Sequence, residues 1–499
     1  MWYNDIEKGG EYTMGTSGIL LHISSLPNNY GIGSLGQVAY DFIDFLKKSN
    51  QKIWQVLPIG PTSFGDSPYQ TLSTYAGNHY FIDLEFLCHD GLLQLKEVKE
   101  LKVKEPTINY NNLYHTRTSI LRLAYSRFDK TTKSYQLFLE KEASWLLDYA
   151  LYMSIKEVMQ GKSWQEWDEP YRSRDKVALR KFSKDHRNEL EFWYFVQFKF
   201  FQQWNQLHQY AKKNHIKIMG DVPIYVAIDS ADVWTNPEYY LLDETLTPTW
   251  IAGVPPDAFS EDGQRWGNPL YRYEVMEQDH YSWWRRRIVH ALSLFDMIRI
   301  DHFRGFESFY AIPNGDQTAR NGKWIKGPGM RLWGEILKEN NGAKIIAENL
   351  GFLTSEVDEL LTACNFPGMK VLEFTLLSPN PNDDIKTFSK SQVIYPGTHD
   401  NPPLKAWIAS LPKKSRETLY HKLNVSSNEE AIDAIINLAL ASKCQTVIVS
   451  MQDYLHLGAA SRLNTPGSSE GNWTWQLQKR SLSETLAIEI AQRIKQSKR

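Results

Sequence analysis

A chain of 499 residues with 42% hydrophobic and 23% charged residues can bury a sizeable core, which excludes wholesale disorder. Fifty-six basic against 58 acidic residues leave a net charge of −2, so nothing pulls the protein toward nucleic acid or anionic lipid. Three distant cysteines, Cys88, Cys364 and Cys444, make neither a disulfide framework nor a metal set, and read as thiols of a reducing compartment. No apolar run nears the ~20 residues of a membrane span and no charged-then-apolar leader opens the chain, which points to a cytoplasmic protein.

Residues 1–17 read as an N-terminal extension. The hypothesis is that Lys8-Gly-Gly-Glu translates a purine-rich ribosome-binding site and that the native chain starts at Met14; N-terminal mass analysis checks it. Gly18 to Ile23 is the first strand candidate, followed by a Gly/Ser/Pro/Asn loop. Val38, Phe42, Phe45 and Leu46 then share one helical face, with Lys47 and Lys48 at the end where the dipole favours cations. Lys52 to Ile59 is a second strand, completing a βαβ unit. Residues 18–85 thus hold two strands and a loop, and 86–213 form a helix-rich insertion. Within it Leu147, Leu151, Ile155 and Val158 make one apolar stripe; Val196, Phe200, Trp204 and Leu207 make another. Trp164-Gln-Glu-Trp-Asp-Glu-Pro between them is loop chemistry.

Strands resume in residues 214–499 at Lys217–Val226, Met297–Ile300, Lys344–Ala347, Met369–Phe374, Gln392–Tyr395 and Thr446–Ser450. Helical segments such as Arg331–Lys338 and Asn428–Ser442 lie between them. Eight strands alternating with helices predict an α/β fold, a (β/α)8 TIM barrel with large, mainly helical insertions. An open doubly wound sheet is the alternative, but no Gly-rich phosphate loop follows any strand.

Barrel chemistry lies at strand C-termini, and there the third, fourth, fifth and seventh strands carry Asp221, Asp301, Glu348 and Asp400. Each alone is more simply a helix cap or an ion pair; Arg299, two residues before Asp301 and on the same strand face, would keep that carboxylate charged. Four acids on one rim fit acid/base or glycosyl chemistry better than four coincidences. A divalent metal site is the competing explanation, ranked lower because Arg299 already supplies positive charge. Seventeen Trp, 26 Tyr and 22 Phe suit the apolar faces of sugars, though they suit any large core as well.

Arg299-Ile-Asp-His-Phe-Arg-Gly, Ala347-Glu-Asn-Leu-Gly and Gly397-Thr-His-Asp-Asn resemble the catalytic motifs of the amylomaltases. These are bacterial 4-α-glucanotransferases, or disproportionating enzymes, of the α-amylase clan. Further matches are Gly60 to Gln70, Gly220-Asp-Val-Pro-Ile-Tyr-Val, Gly253-Val-Pro-Pro-Asp, Gly263 to Tyr271, Arg462-Leu-Asn-Thr-Pro-Gly and Gly471-Asn-Trp. The resemblance implies Asp301 as nucleophile, Glu348 as general acid/base and Asp400 as the third carboxylate, holding the sugar at the cleavage subsite. It places Arg299, His399, Asp221, Ser67 and Tyr69 around that subsite, with Tyr69 as stacking platform. Gln264 and Trp266 match a loop, within 253–271, that arches over the bound glucan. It further implies no metal or organic cofactor, maltodextrins, glucose and other α-1,4-glucans as partners, and a barrel without the C-terminal β-domain of ordinary α-amylases. Phe64 is a candidate for part of a secondary glucan site.

Retaining chemistry asks for two carboxyls ~5–5.5 Å apart, one ionised and one protonated. Crowding by Asp301 and Asp400 is expected to raise the Glu348 pKa. Three positions depart from the family pattern: Asn349 in place of Asp, Pro402-Pro403 in place of an acid and Thr, and His79 in place of Pro. The leading reading is a glucan-disproportionating transferase. A hydrolytic amylase is the alternative, and a binding protein without activity is disfavoured because all three acids are present.

Overall fold

The computed structural model describes residues 15–63, 65–103, 107–256, 260–468 and 470–499, so the Met14 start and Phe64 lie outside the described residues. Twelve strands are described: β1 (Thr16–Leu20), β2 (Ile53–Gln55), β3 (Lys217–Val222), β4 (Trp250–Val254), β5 (Gln264–Pro269), β6 (Met297–Ile300), β7 (Ser308–Pro313), β8 (Lys323–Lys326), β9 (Ile345–Ala347), β10 (Met369–Val371), β11 (Val393–Tyr395) and β12 (Thr446–Ser450). Eight of them form a parallel sheet in the order β10-β11-β12-β1-β2-β3-β6-β9. The seam between β9 and β10 carries no ladder. It is bridged by Ala347 N–H to Pro367 O at 2.9 Å and by Met369 N–H to Asn349 Oδ1 at 2.7 Å. The ring is therefore a barrel, and the Asn that departs from the family pattern is one of its fasteners.

The strands are short, apolar and β-branched, buried on both faces as parallel strands must be. Predicted and observed strands agree best at β6 and β12. The sixth predicted strand is cut short: after Val371 the chain turns into a helix, Leu372–Thr375. Tyr395 donates to Gln55 Oε1 at 2.9 Å, a buried polar pair between two barrel strands.

The insertion is helical as expected, dominated by Ala143–Val158 packed on the long helix Arg187–Lys213. Val196, Phe200, Trp204 and Leu207 are fully buried. The other stripe needs correction. Leu151 and Ile155 are buried, but Leu147 and Val158 are 48% and 44% exposed. The buried arc is centred on Trp145, Tyr149 and Tyr152, because aromatic rings there remove more apolar area from water than the aliphatic stripe would. Trp164 and Trp167 of the predicted loop are also buried, and Trp164–Glu166 forms a short 3-10 turn. His79 is buried between Tyr80 and Trp193.

A second sheet is absent from the sequence reading. β5-β4-β7-β8 pair antiparallel, drawn from the segments that follow β3 and β6. No helix among the described residues is long and apolar enough to cross a membrane.

Candidate active site

The register of β3 against β6 sets Asp221 directly beside Arg299. Arg299 Nη1 donates to Asp221 Oδ2 at 2.5 Å and Nη2 to Asp301 Oδ1 at 2.8 Å, so one guanidinium spans two carboxylates. The other face of the bridge is Tyr69, whose hydroxyl donates to Asp221 Oδ2 at 2.7 Å. Burial, and then the charge of Asp221, holds the Tyr69 phenol well above its ordinary value, which keeps it a donor. Its ring lies parallel to the His399 imidazole, centroids 5.2 Å apart, and Trp473 flanks both. Burial pushes the His399 imidazole down, so it is neutral at physiological pH.

After β6 the backbone turns sharply at His302, which sits in the left-handed region at φ 49°. Such a conformation costs a β-unbranched residue about 1–2 kcal/mol and needs a return elsewhere. Here it aims the His302 N–H at Glu348 Oε2, 2.7 Å away, while Leu350 N–H reaches Glu348 Oε1 at 2.7 Å. The tight turn thus fixes Glu348 next to the residue that follows Asp301. Burial is the main cause raising the Glu348 carboxyl, with Asp400 contributing least; crowding is not the chief reason.

Asp301 differs from expectation in direction. Burial pushes its carboxyl well above the usual range; Arg299 opposes this, and Asp221, Glu348 and Asp400 add to it. Arg299 cannot hold Asp301 low by itself because its shorter bond goes to Asp221. The Asp301 side chain keeps 27% of its surface exposed.

Asp400 projects from the loop after β11. His399 Nε2 lies 3.3 Å from Asp400 Oδ2, Asn464 donates to Asp400 Oδ1 at 2.6 Å, and Arg462 donates to its carbonyl at 2.7 Å. In the sequence Arg462 and Asn464 stand only as part of a matching motif, and at 62 and 64 positions from Asp400 they carry no local signal of this contact. Trp266, on β5, meets the His302 ring edge-on at 4.9 Å, and its indole N–H donates to Gln264 Oε1 at 3.1 Å. Gln70 ties the loop after β2 to this strand through Trp266 O and Asn268. Ser67 joins the group only through its neighbour, accepting the Tyr69 N–H at 3.2 Å. A cavity of about 440 Å³ lies elsewhere, lined by Tyr75, Trp145, Asp232 and His290, and includes none of the clustered carboxylates.

A parallel barrel with carboxylates gathered at the C-terminal ends of its strands has the architecture of a barrel enzyme, whose functional side chains come from those strand ends. A family model described as 4-alpha-glucanotransferase matches residues 21–482. The chain is 42% identical over 479 residues to the 4-alpha-glucanotransferase of Clostridium butyricum, covering 94% of this chain and 98% of that one. It is 43% identical over 467 residues to that of Aquifex aeolicus, covering 93% and 96%. Among solved structures, the amylomaltase of Streptococcus agalactiae in complex with acarbose superposes with a TM-score of 0.94 at 36% identity, over 97% of this chain and 99% of that one. The chain belongs to the 4-alpha-glucanotransferase family.

Proposed function

We propose that the protein transfers α-1,4-glucan segments from a maltodextrin donor to glucose or another glucan, by retaining double displacement through a glycosyl-Asp301 intermediate. The observation that carries this is the Asp221–Arg299–Asp301 bridge beside Glu348. Burial raises the carboxyls of both Asp301 and Glu348, which favours a proton held between them. Arg299 touches Asp301 and not Glu348. Asp301 is raised the further of the two, but only Asp301 accepts a charge-assisted bond from Arg299. Such a bond favours the anion more than the neutral N–H bonds that Glu348 receives; on that ground the proton is assigned to Glu348.

In the first step an Asp301 oxygen bonds to the anomeric carbon as the glycosidic C–O bond breaks, and the Glu348 proton passes to the leaving oxygen. In the second, an acceptor hydroxyl gives its proton to the Glu348 carboxylate and attacks the same carbon, releasing Asp301. Asp400, His399 and Tyr69 hold the sugar ring, and Ser67, Asp221 and Arg299 frame the same subsite. Gln264 and Trp266 cover the acceptor side. The family membership and the acarbose complex of the Streptococcus agalactiae relative support the reading.

Incubation with maltotriose tests it. Glucose together with a ladder of longer chains is the expected product pattern, while glucose and maltose with no longer chains indicate a hydrolase. Asp301→Asn is expected to lower transfer by ~10⁴-fold or more while isothermal titration still shows glucan binding; near-normal turnover would refute the nucleophile role.

A further inference from the structure

The loop that carries His399 and Asp400 runs from Pro396 to Leu404 and contains Pro402-Pro403. Two consecutive prolines remove two backbone N–H donors and fix two φ angles, so few groups remain with which to anchor the loop to the barrel. Two of those that remain go to buried carboxyls on either side. Asn401 Nδ2 donates to Glu373 Oε2 at 3.0 Å, and Leu404 N–H donates to Asp453 Oδ1 at 2.8 Å.

The placement follows from sheet order. β11 lies between β10 and β12, Glu373 sits in the short helix that directly follows β10, and Asp453 in the one that directly follows β12. The loop after β11 is therefore straddled by one carboxyl from each neighbouring strand end. Asn401 relays the grip: its Oδ1 accepts the Thr398 N–H at 3.0 Å and the Thr398 hydroxyl at 2.8 Å. Glu373 N–H reaches Pro396 O at 3.1 Å, at the loop's start. The fit is close, since a Cβ on Gly397 would lie 2.7 Å from Glu373 Oε1. The proposed chemistry uses neither carboxyl.

We propose that Glu373 and Asp453 are positioning residues: a two-sided clamp, acting through Asn401 and Leu404 N–H, that sets Asp400 against the reacting sugar. The inference rests on the glucan-transfer reading of the same site. Burial, and next the charge of Asp453, pushes the Glu373 carboxyl well above its ordinary range, and burial pushes Asp453 up to about 7. The clamp therefore needs an acceptor oxygen rather than a negative charge, and amide replacements should preserve it. Displacing Asp400 should appear in kcat, because contacts to the sugar hydroxyls tighten in the transition state, and ~1 Å of misplacement costs up to ~10²-fold.

The test is maltotriose disproportionation by full-length Glu373→Ala, Asn401→Ala, their double variant, Asp453→Ala, Glu373→Gln and Asp453→Asn, each with a thermal melt. Each alanine variant is expected to lose about 10–100-fold in kcat with KM within about threefold. The Glu373/Asn401 double variant should be no worse than its weaker parent, and the two amides should stay within about threefold of wild type. Unchanged kcat in folded alanine variants, additive losses in the double, or a loss confined to KM would overturn the clamp. Should Glu373→Ala fail to fold, Asn401→Ala keeps Glu373 in place and reads the same link. A wild-type protein that does not lengthen maltotriose sinks the functional reading and the clamp with it; an active wild type with indifferent variants sinks the clamp alone.

Discussion

Arg299 is the residue on which the cluster's electrostatics turn, because a planar guanidinium can donate to two carboxylates at once and an ammonium on a flexible stem cannot hold the same fork. Arg299→Lys should lower the transfer rate by at least ~10²-fold and the melting temperature as well, since breaking a buried ion pair costs ~3–5 kcal/mol; initial rates and a thermal melt check both. Asp453 gives a residue-scale pH prediction. Its folded pKa, about 7, lies above the ordinary aspartate value of 3.8, so the folded state binds the extra proton. Stability is lost as pH rises from ~4 toward 7 and levels off above. Asp453→Asn lacks this slope, so its unfolding free energy, measured by denaturant titration at several pH values, should pull ahead of wild type across that window, by at most about 4 kcal/mol at ~1.36 kcal/mol per unit. A gap that is constant with pH would contradict the assignment. The carboxylates themselves were legible as strand-end residues, but the sharing of Arg299 was not. Asp221 and Arg299 are 78 positions apart, and only the β3–β6 register makes them neighbours.

Among elements, the helices of the insertion show how pattern and packing part company. Leu147 and Leu151 are equivalent in a period of four, yet one faces solvent and the other the core. Leu151→Ala should destabilise by ~2–5 kcal/mol, while Leu147→Lys should stay within ~0.5 kcal/mol; chemical denaturation of the two variants distinguishes them. The sequence overstates the apolar stripe because it scores Leu and Val without knowing that Trp145 and Tyr149 face the partner helix and that Tyr152 packs on Trp167 and Trp234. Likewise Met369–Phe374 looks like one strand, and its second half becomes the helix that presents Glu373 to the loop after β11. The β4-β5-β7-β8 sheet was invisible for a different reason. Its strands contain Gly253, Gly267 and Pro269, and their pairing joins segments separated by a whole βα unit.

At the scale of the molecule, that sheet brings Trp266 against His302 at the barrel rim. In the proposed transfer reaction an aromatic ring at this rim would favour a sugar hydroxyl over water. Trp266→Ala is expected to raise the ratio of glucose-and-maltose hydrolysis to chain lengthening several-fold, read from chromatographed maltotriose digests; an unchanged ratio would remove Trp266 from that role. The barrel and the carboxylates at its strand ends were determined by the sequence alone. Apolar β-branched runs separated by helical segments leave few other solutions, and strand-end position follows directly from chain order. Tertiary structure decided what those carboxylates do to one another. Strand register lent Arg299 to Asp221 as well as Asp301, and burial reversed the expected direction of the Asp301 shift. Sheet order set Glu373 and Asp453 on either side of Asp400's loop. Register, burial and sheet order are properties of distant segments brought together, which no local pattern encodes.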